Sequence, residues 1–119
     1  DDCAIMVDAL SEALAELKHT TETLLASMVE RDIDLALANS AVYLEFFGHV
    51  VVGWMWLKQG LVAATALASE PHADDEAFYR GKLQAMNYFA RWELPHTRTW
   101  GELLRNLDDT PYAMQASWF

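Results

Sequence analysis

Apolar residues recur along this chain three or four positions apart almost from end to end, and nowhere alternate over the run that a strand requires. The first such stretch runs from Ala4 to about Val29. Leu10, Leu17 and Leu24 share one stripe, which Met6, Ala13 or Leu14, and Met28 complete. Glu12, Glu16, Lys18 and Glu22 fall on the opposite side, so the spacing predicts an amphipathic helix with one buried face. Glu30 to Asp34 is a polar connection. There Asp32 or Asp34 caps the next helix, because a short carboxylate accepts the unpaired N–H groups of a first turn.

The second helix is predicted from about Leu35 to Leu67. Its stripe is Ala36, Ser40, Tyr43, Phe47, Val50, Trp54, Leu57, Leu61 and Ala64, and a second seam holds Phe46, Gly53, Gly60 and Leu67. Apolar residues on more than one face predict a central helix covered on several sides. A glycine inside a helix costs roughly 1 kcal/mol against alanine, so Gly53 and Gly60 predict close approach by neighbouring helices.

Ser69-Glu70-Pro71-His72 turns the chain, and Asp74 or Asp75 caps a third helix from about Glu76 to Glu93. Phe78, Ala85, Tyr88 and Trp92 line one of its sides; Tyr79, Leu83, Met86 and Ala90 line another. Pro95 disfavours a helical Leu94 and sets a boundary there. A fourth, shorter helix spans about Thr97 to Leu107, presenting Trp100, Leu103, Leu104 and Leu107. The terminal Trp118-Phe119 pair predicts a tail docked on some apolar surface. The whole predicts an all-α fold: an up-down helical bundle of three long helices and a shorter fourth, forming one domain over residues 1–119.

Composition narrows the functional classes. The chain is 53% hydrophobic and 22% charged, enough apolar content for a packed core. Its net charge of −10 argues against a phosphate-backbone partner and against an anionic membrane surface. The single cysteine, Cys3, rules out an intrachain disulfide and fits a cytoplasmic protein. The longest apolar run, Phe46 to Leu57, contains His49, falls short of the roughly 20 residues of a membrane span and reads as a buried core helix. The opening Asp1-Asp2-Cys3, with no Met, suggests a piece of a longer chain.

Candidate chemistry is sparse. The five glycines are scattered, and none sits in a phosphate loop. No serine lies in a nucleophile elbow. Two Glu-x-x-His strings, Glu16 to His19 and Glu93 to His96, carry the ligand types of a helical di-metal site, with Glu45 as a further carboxylate. However, the first string lies on a polar face and Pro95 interrupts the second, so no metal is assigned. Glu45 and His49 are spaced to pair along one helix face, and His49 reads as a hydrogen-bonded core or interface histidine. Arg91 and Glu93 read as an ion pair or as partners for helix ends. The aromatics at 43, 46, 47, 54, 56, 78, 79, 88, 89 and 92 read as core rather than as a cofactor pocket. Trp54 and Trp56 lie on different helix faces, so one of them points outward, towards an interface.

Two segments carry a resemblance. One is Tyr43-Leu44-Glu45-Phe46-Phe47-Gly48-His49, continuing Val50-Val51-Val52-Gly53-Trp54-Met55-Trp56-Leu57. The other is Asp75-Glu76-Ala77-Phe78-Tyr79-Arg80-Gly81-Lys82-Leu83, continuing to Tyr88-Phe89-Ala90-Arg91-Trp92-Glu93-Leu94-Pro95. Together they resemble the acetyl-CoA dehydrogenase C-terminal-like domain. That domain is appended to long bacterial acyl-CoA dehydrogenases, including those similar to 3-methylmercaptopropionyl-CoA dehydrogenase.

The resemblance implies a flavoprotein parent that carries FAD and oxidises an acyl-CoA to its trans-2-enoyl form, a glutamate taking the α proton as the β hydride passes to flavin N5. It implies that the catalytic glutamate, the FAD site and the CoA site belong to the dehydrogenase core, so no catalytic or cofactor-binding residue is carried onto this chain. The implied role is support: packing on the core domains of the same chain, or across a subunit interface of a homo-oligomer, over part of the substrate entrance. Gly48, His49, Trp54, Arg80, Lys82 and Arg91 are the candidate contacts, with Arg80 and Lys82 also placed to meet CoA phosphates on charge alone. The competing reading is a free-standing helical interaction or dimerisation module.

Overall fold

The computed structural model describes residues 3–119, and among them every regular element is helical. Helix α1 spans Ala4–Glu30, α2 Ile33–Leu37, α3 Ser40–Leu67, α4 Ala73–Tyr88 and α5 His96–Arg105. A π-helical turn, Phe89–Glu93, continues α4, and a 3₁₀ turn, Ala116–Trp118, lies near the end. Helix α3 lies between α1 and α4, while α5 packs across α1 and α3. The expected all-α bundle, three long helices and a shorter one, is what forms.

Several boundaries differ from the expectation, each for a local reason. The second helix is not continuous from Leu35: it breaks at Ala38-Asn39 into α2 and α3. Asn39 turns its side-chain amide to the backbone oxygen of Asp108 (2.7 Å), and the Ser40 hydroxyl donates to the Leu37 carbonyl (2.6 Å). Such short polar side chains offer the backbone an alternative to the helical ladder. Of the two capping candidates it is Asp32 that caps α2, accepting from the Asp34 N–H at 2.8 Å. Helix α4 begins earlier than expected, after His72, so Asp74, Asp75 and Glu76 fill its first turn instead of capping it, where they complement the helix dipole. Leu94 stays helical (φ −58°, ψ −34°) despite Pro95, because its N–H donates five residues back to Phe89 within the π turn. Helix α5 closes at Arg105, two residues short of the expected end, and Leu107 takes a left-handed φ of 51°.

The interior is a single seam. Phe46, Met6, Met86, Leu94, Leu104 and Thr20 are its largest fully buried side chains. On α3 the buried positions are Phe46, Val50, Gly53, Gly60 and Ala63, close to the minor seam of the sequence pattern. The longer stripe joins the core only in part: Val50 is buried and Tyr43, Leu57 and Ala64 pack against it, but Phe47, Trp54 and Leu61 are half exposed. The glycine expectation holds physically. A methyl at Gly53 would press on Leu10 and Leu94 at 3.3 Å, and one at Gly60 would collide with the sulfur of Met86.

The assembly is a slab, 63 × 33 × 15 Å, with a radius of gyration of 18.9 Å. A compact domain of this length would have a radius near 14 Å. The terminal aromatics do not dock on the domain itself: Trp118 and Phe119 are both exposed.

Gly60→Ala should lower the unfolding free energy in urea titrations by about 1 kcal/mol net, because overpacking against a fully buried Met86 outweighs the gain in helix propensity. Gly81→Ala meets nothing within 4 Å. It should raise the unfolding free energy by up to about 1 kcal/mol.

Candidate functional site

The π turn positions one polar cluster. It rotates Glu93 against α3, so that His49 Nε2 lies 3.3 Å from the Glu93 carboxyl while Nδ1 faces the Glu45 backbone oxygen at 3.1 Å. The His49 ring stacks on Phe89 (5.8 Å) and meets the Trp100 edge (4.7 Å), and His96 stacks on Trp100 in turn. With Nδ1–H given to a carbonyl, the bond to Glu93 needs a proton on Nε2 or on the carboxyl. His49 is thus the expected hydrogen-bonded histidine, but its carboxylate partner is Glu93, not Glu45. The expected Arg91–Glu93 pair does not form, and Arg91 makes no ion pair among the described residues.

A second cluster ties α5 to α1. Arg105 Nη1 donates to Glu16 (2.6 Å) and to the Thr20 hydroxyl (2.9 Å), in a space that Gly101 leaves open. Glu16 was expected on an outward polar face; α5 covers it instead. The two Glu-x-x-His strings therefore part company, since Glu16 binds an arginine, Glu93 binds His49, and His96 stacks on an indole. No group of three or more His, Cys, Asp or Glu is close enough to hold a metal among the described residues.

The largest feature is apolar. Helix α3 is covered on one side only: 22% of its most apolar stretch is buried, although its mean hydropathy of 1.4 and its length would suffice to cross a membrane. This corrects the expectation of a core helix covered on several sides. Leu44, Phe47, Val51, Trp54, Met55 and Val62 are exposed on its outer face. The aromatics read as core divide: Phe46 is fully buried and Tyr43, Trp56, Tyr79 and Phe89 pack against the core, whereas Phe47, Trp54, Phe78, Tyr88 and, in the π turn, Trp92 are exposed, the last two stacked on each other at 5.8 Å. A 13.5 kDa compact protein exposes about 6,500 Å². This chain exposes 7961 Å², leaving an excess larger than one partner's usual share of a stable interface, about 800 Å².

The sequence-predicted contacts do not gather at one point. Trp54 lies on the uncovered face, the outward one of the two tryptophans. Lys82 lies beside that face, its ammonium over the rings of Trp56 (5.7 Å) and Phe78 (5.4 Å). His49 and the half-buried Gly48 sit further along α3. Arg80 is bound to Glu76 on the exposed side of α4 (2.8 Å). Missed by the sequence reading were Met55, Lys58, Gln59 and Val62, which with Phe78, Tyr79 and Lys82 line a groove of about 490 Å³ between α3 and α4. The available signal was that α3 carries apolar residues on every side.

A helical slab with one broad apolar face defines a class of domain that carries an interaction surface. The chain belongs to the acetyl-CoA dehydrogenase C-terminal like family, whose model matches residues 1–115. It is also 31% identical, over 71 residues, to the broad-specificity linear acyl-CoA dehydrogenase FadE5 of Mycobacterium tuberculosis. The match covers 60% of this chain and 12% of that relative, so the chain spans a small part of the relative's length.

Arg105→Met should destabilise the fold by about 1–2 kcal/mol in denaturant titrations, because it strands a partly buried Glu16 and strips Thr20 of its donor. Arg80→Ala removes an exposed helical pair and should change stability by less than about 0.5 kcal/mol.

Proposed function

We propose that this chain is a structural accessory domain of an FAD-dependent acyl-CoA dehydrogenase, held against the dehydrogenase portion of its own polypeptide by the outer face of α3 and performing no catalysis itself. The observation that carries the reading is the uncovered apolar side of α3 in a chain whose family is a dehydrogenase domain. The parent reaction, oxidation of an acyl-CoA to its trans-2-enoyl form, is proposed from that family and from the relative's name, and a cytoplasmic setting from the single cysteine.

We place the flavin in the rest of the enzyme. The start of α4 fits it poorly, since its first turn holds Asp74, Asp75 and Glu76, whose charges would repel a pyrophosphate there. The CoA contact considered for Arg80 and Lys82 has less support than the interface reading, because Arg80 is taken up by Glu76 and Lys82 lies over aromatic rings. A membrane is a poor match for the same α3 face, which carries Lys58 and Gln59 among its apolar residues.

The test is made in the full-length enzyme. Val51→Glu with Trp54→Glu should leave a flavin spectrum that bleaches on addition of acyl-CoA, while trypsin releases a fragment of about this domain's 13.5 kDa much faster than from the parent. Unchanged proteolysis would contradict the docking face. A colourless protein that stays unresponsive when FAD is supplied would contradict the dehydrogenase assignment.

A further inference from the structure

The groove between α3 and α4 differs from the rest of the apolar face in carrying charge. Its floor is Met55, Val62, Ala63, Phe78 and Tyr79. Lys58 stands on one bank, its ammonium 5.1 Å from the centre of the Trp54 ring, and Lys82 stands on the other, over Trp56 and Phe78. Neither lysine makes an ion pair among the described residues, in a chain with 18 acidic and 8 basic side chains. In so acidic a protein two ammoniums framing an apolar groove mark it as locally cationic. Their ammoniums lie over aromatic rings, which holds the charges at the rim of the groove.

Resting on the accessory-domain reading, we infer that this groove is the anchor of the docked domain: it receives an apolar side chain of the upstream dehydrogenase portion, flanked by carboxylates that pair with Lys58 and Lys82. Three observations select this occupant. The groove is continuous through Met55 and Val62 with the uncovered face of α3. The matched stretch makes up only 12% of the dehydrogenase relative, so a far larger protein surface is available in the same polypeptide. The lysines call for acidic neighbours around an apolar plug, an arrangement in which the plug supplies affinity and the charge pairs fix register. A second copy of this chain, whose tail exposes Trp118 and Phe119, is the alternative occupant that the test distinguishes.

The test is zero-length carbodiimide cross-linking of the full-length, flavin-loaded enzyme, as an equal mixture of isotopically light and heavy protein. The expected result is cross-links joining Lys58 and Lys82 to Asp or Glu residues upstream of the domain, all within one isotope. Lys58→Glu with Lys82→Glu should speed tryptic release of the domain about tenfold, whereas Lys58→Arg with Lys82→Arg should leave it slow. Light-to-heavy cross-links at these lysines would overturn the inference in favour of a second copy. No cross-links at these lysines, with release unchanged in the glutamate variant, would overturn the anchor while a bleaching flavin and slow release left the accessory-domain reading standing. An enzyme with no flavin response would bring down both.

Discussion

Helix α3 carries apolar residues on every side, and the chain supplies neighbours for only one side of it. Nearly everything else follows from that imbalance. Gly53 and Gly60 allow Leu10, Leu94 and Met86 to approach the α3 backbone closely, so α1, α4 and the segment after the π turn all crowd onto the same seam. With every neighbour spent on that seam the helices spread into a sheet-like layer instead of closing into a ball, and the slab dimensions record it. Burial of apolar surface at roughly 25 cal/mol per Å² then leaves a large part of the available stabilisation outside the chain, to be recovered only when another surface covers α3.

The polar interactions serve this arrangement. The Arg105–Glu16–Thr20 cluster and the His49–Glu93 contact hold α5 to α1 and the π turn to α3, at points where small shifts would open the seam. The π turn matters because an ordinary helical register would carry Glu93 past His49. Both clusters tie neighbouring helices together across the side of the slab opposite the outer face of α3.

Much of the fold was legible in the sequence because helical periodicity is a local signal. The ends of α1 and the division between α4 and α5 could be read from spacing and from Pro95. The break before α3 could not, since it depends on Asn39 reaching Asp108 across 69 positions. Nor could the Glu93–His49 contact, which needs the π turn and a sequence separation of 44. The main error concerned α3: apolar residues all round a helix reveal that it must be covered, not by what. The sequence reading assigned the cover to this chain, and the structure leaves half of it undone. The same ambiguity explains why Trp54 and Lys82 were candidate contacts while Lys58, Met55 and Val62 were not. Their positions around the helix gain meaning only once α4 is seen lying beside them.

The account is tested most directly by hydroxyl-radical footprinting of Trp54 and Met55 in the full-length enzyme. Both are exposed in this domain, at 51% and 40%. If the dehydrogenase portion covers the outer face of α3, both side chains will be strongly protected in the folded enzyme, while Phe119, if it too stays uncovered there, will not be. Oxidation of Trp54 and Met55 at the rate of freely exposed side chains would show that the face stays open, and would contradict the claim that this slab is completed by the enzyme it belongs to.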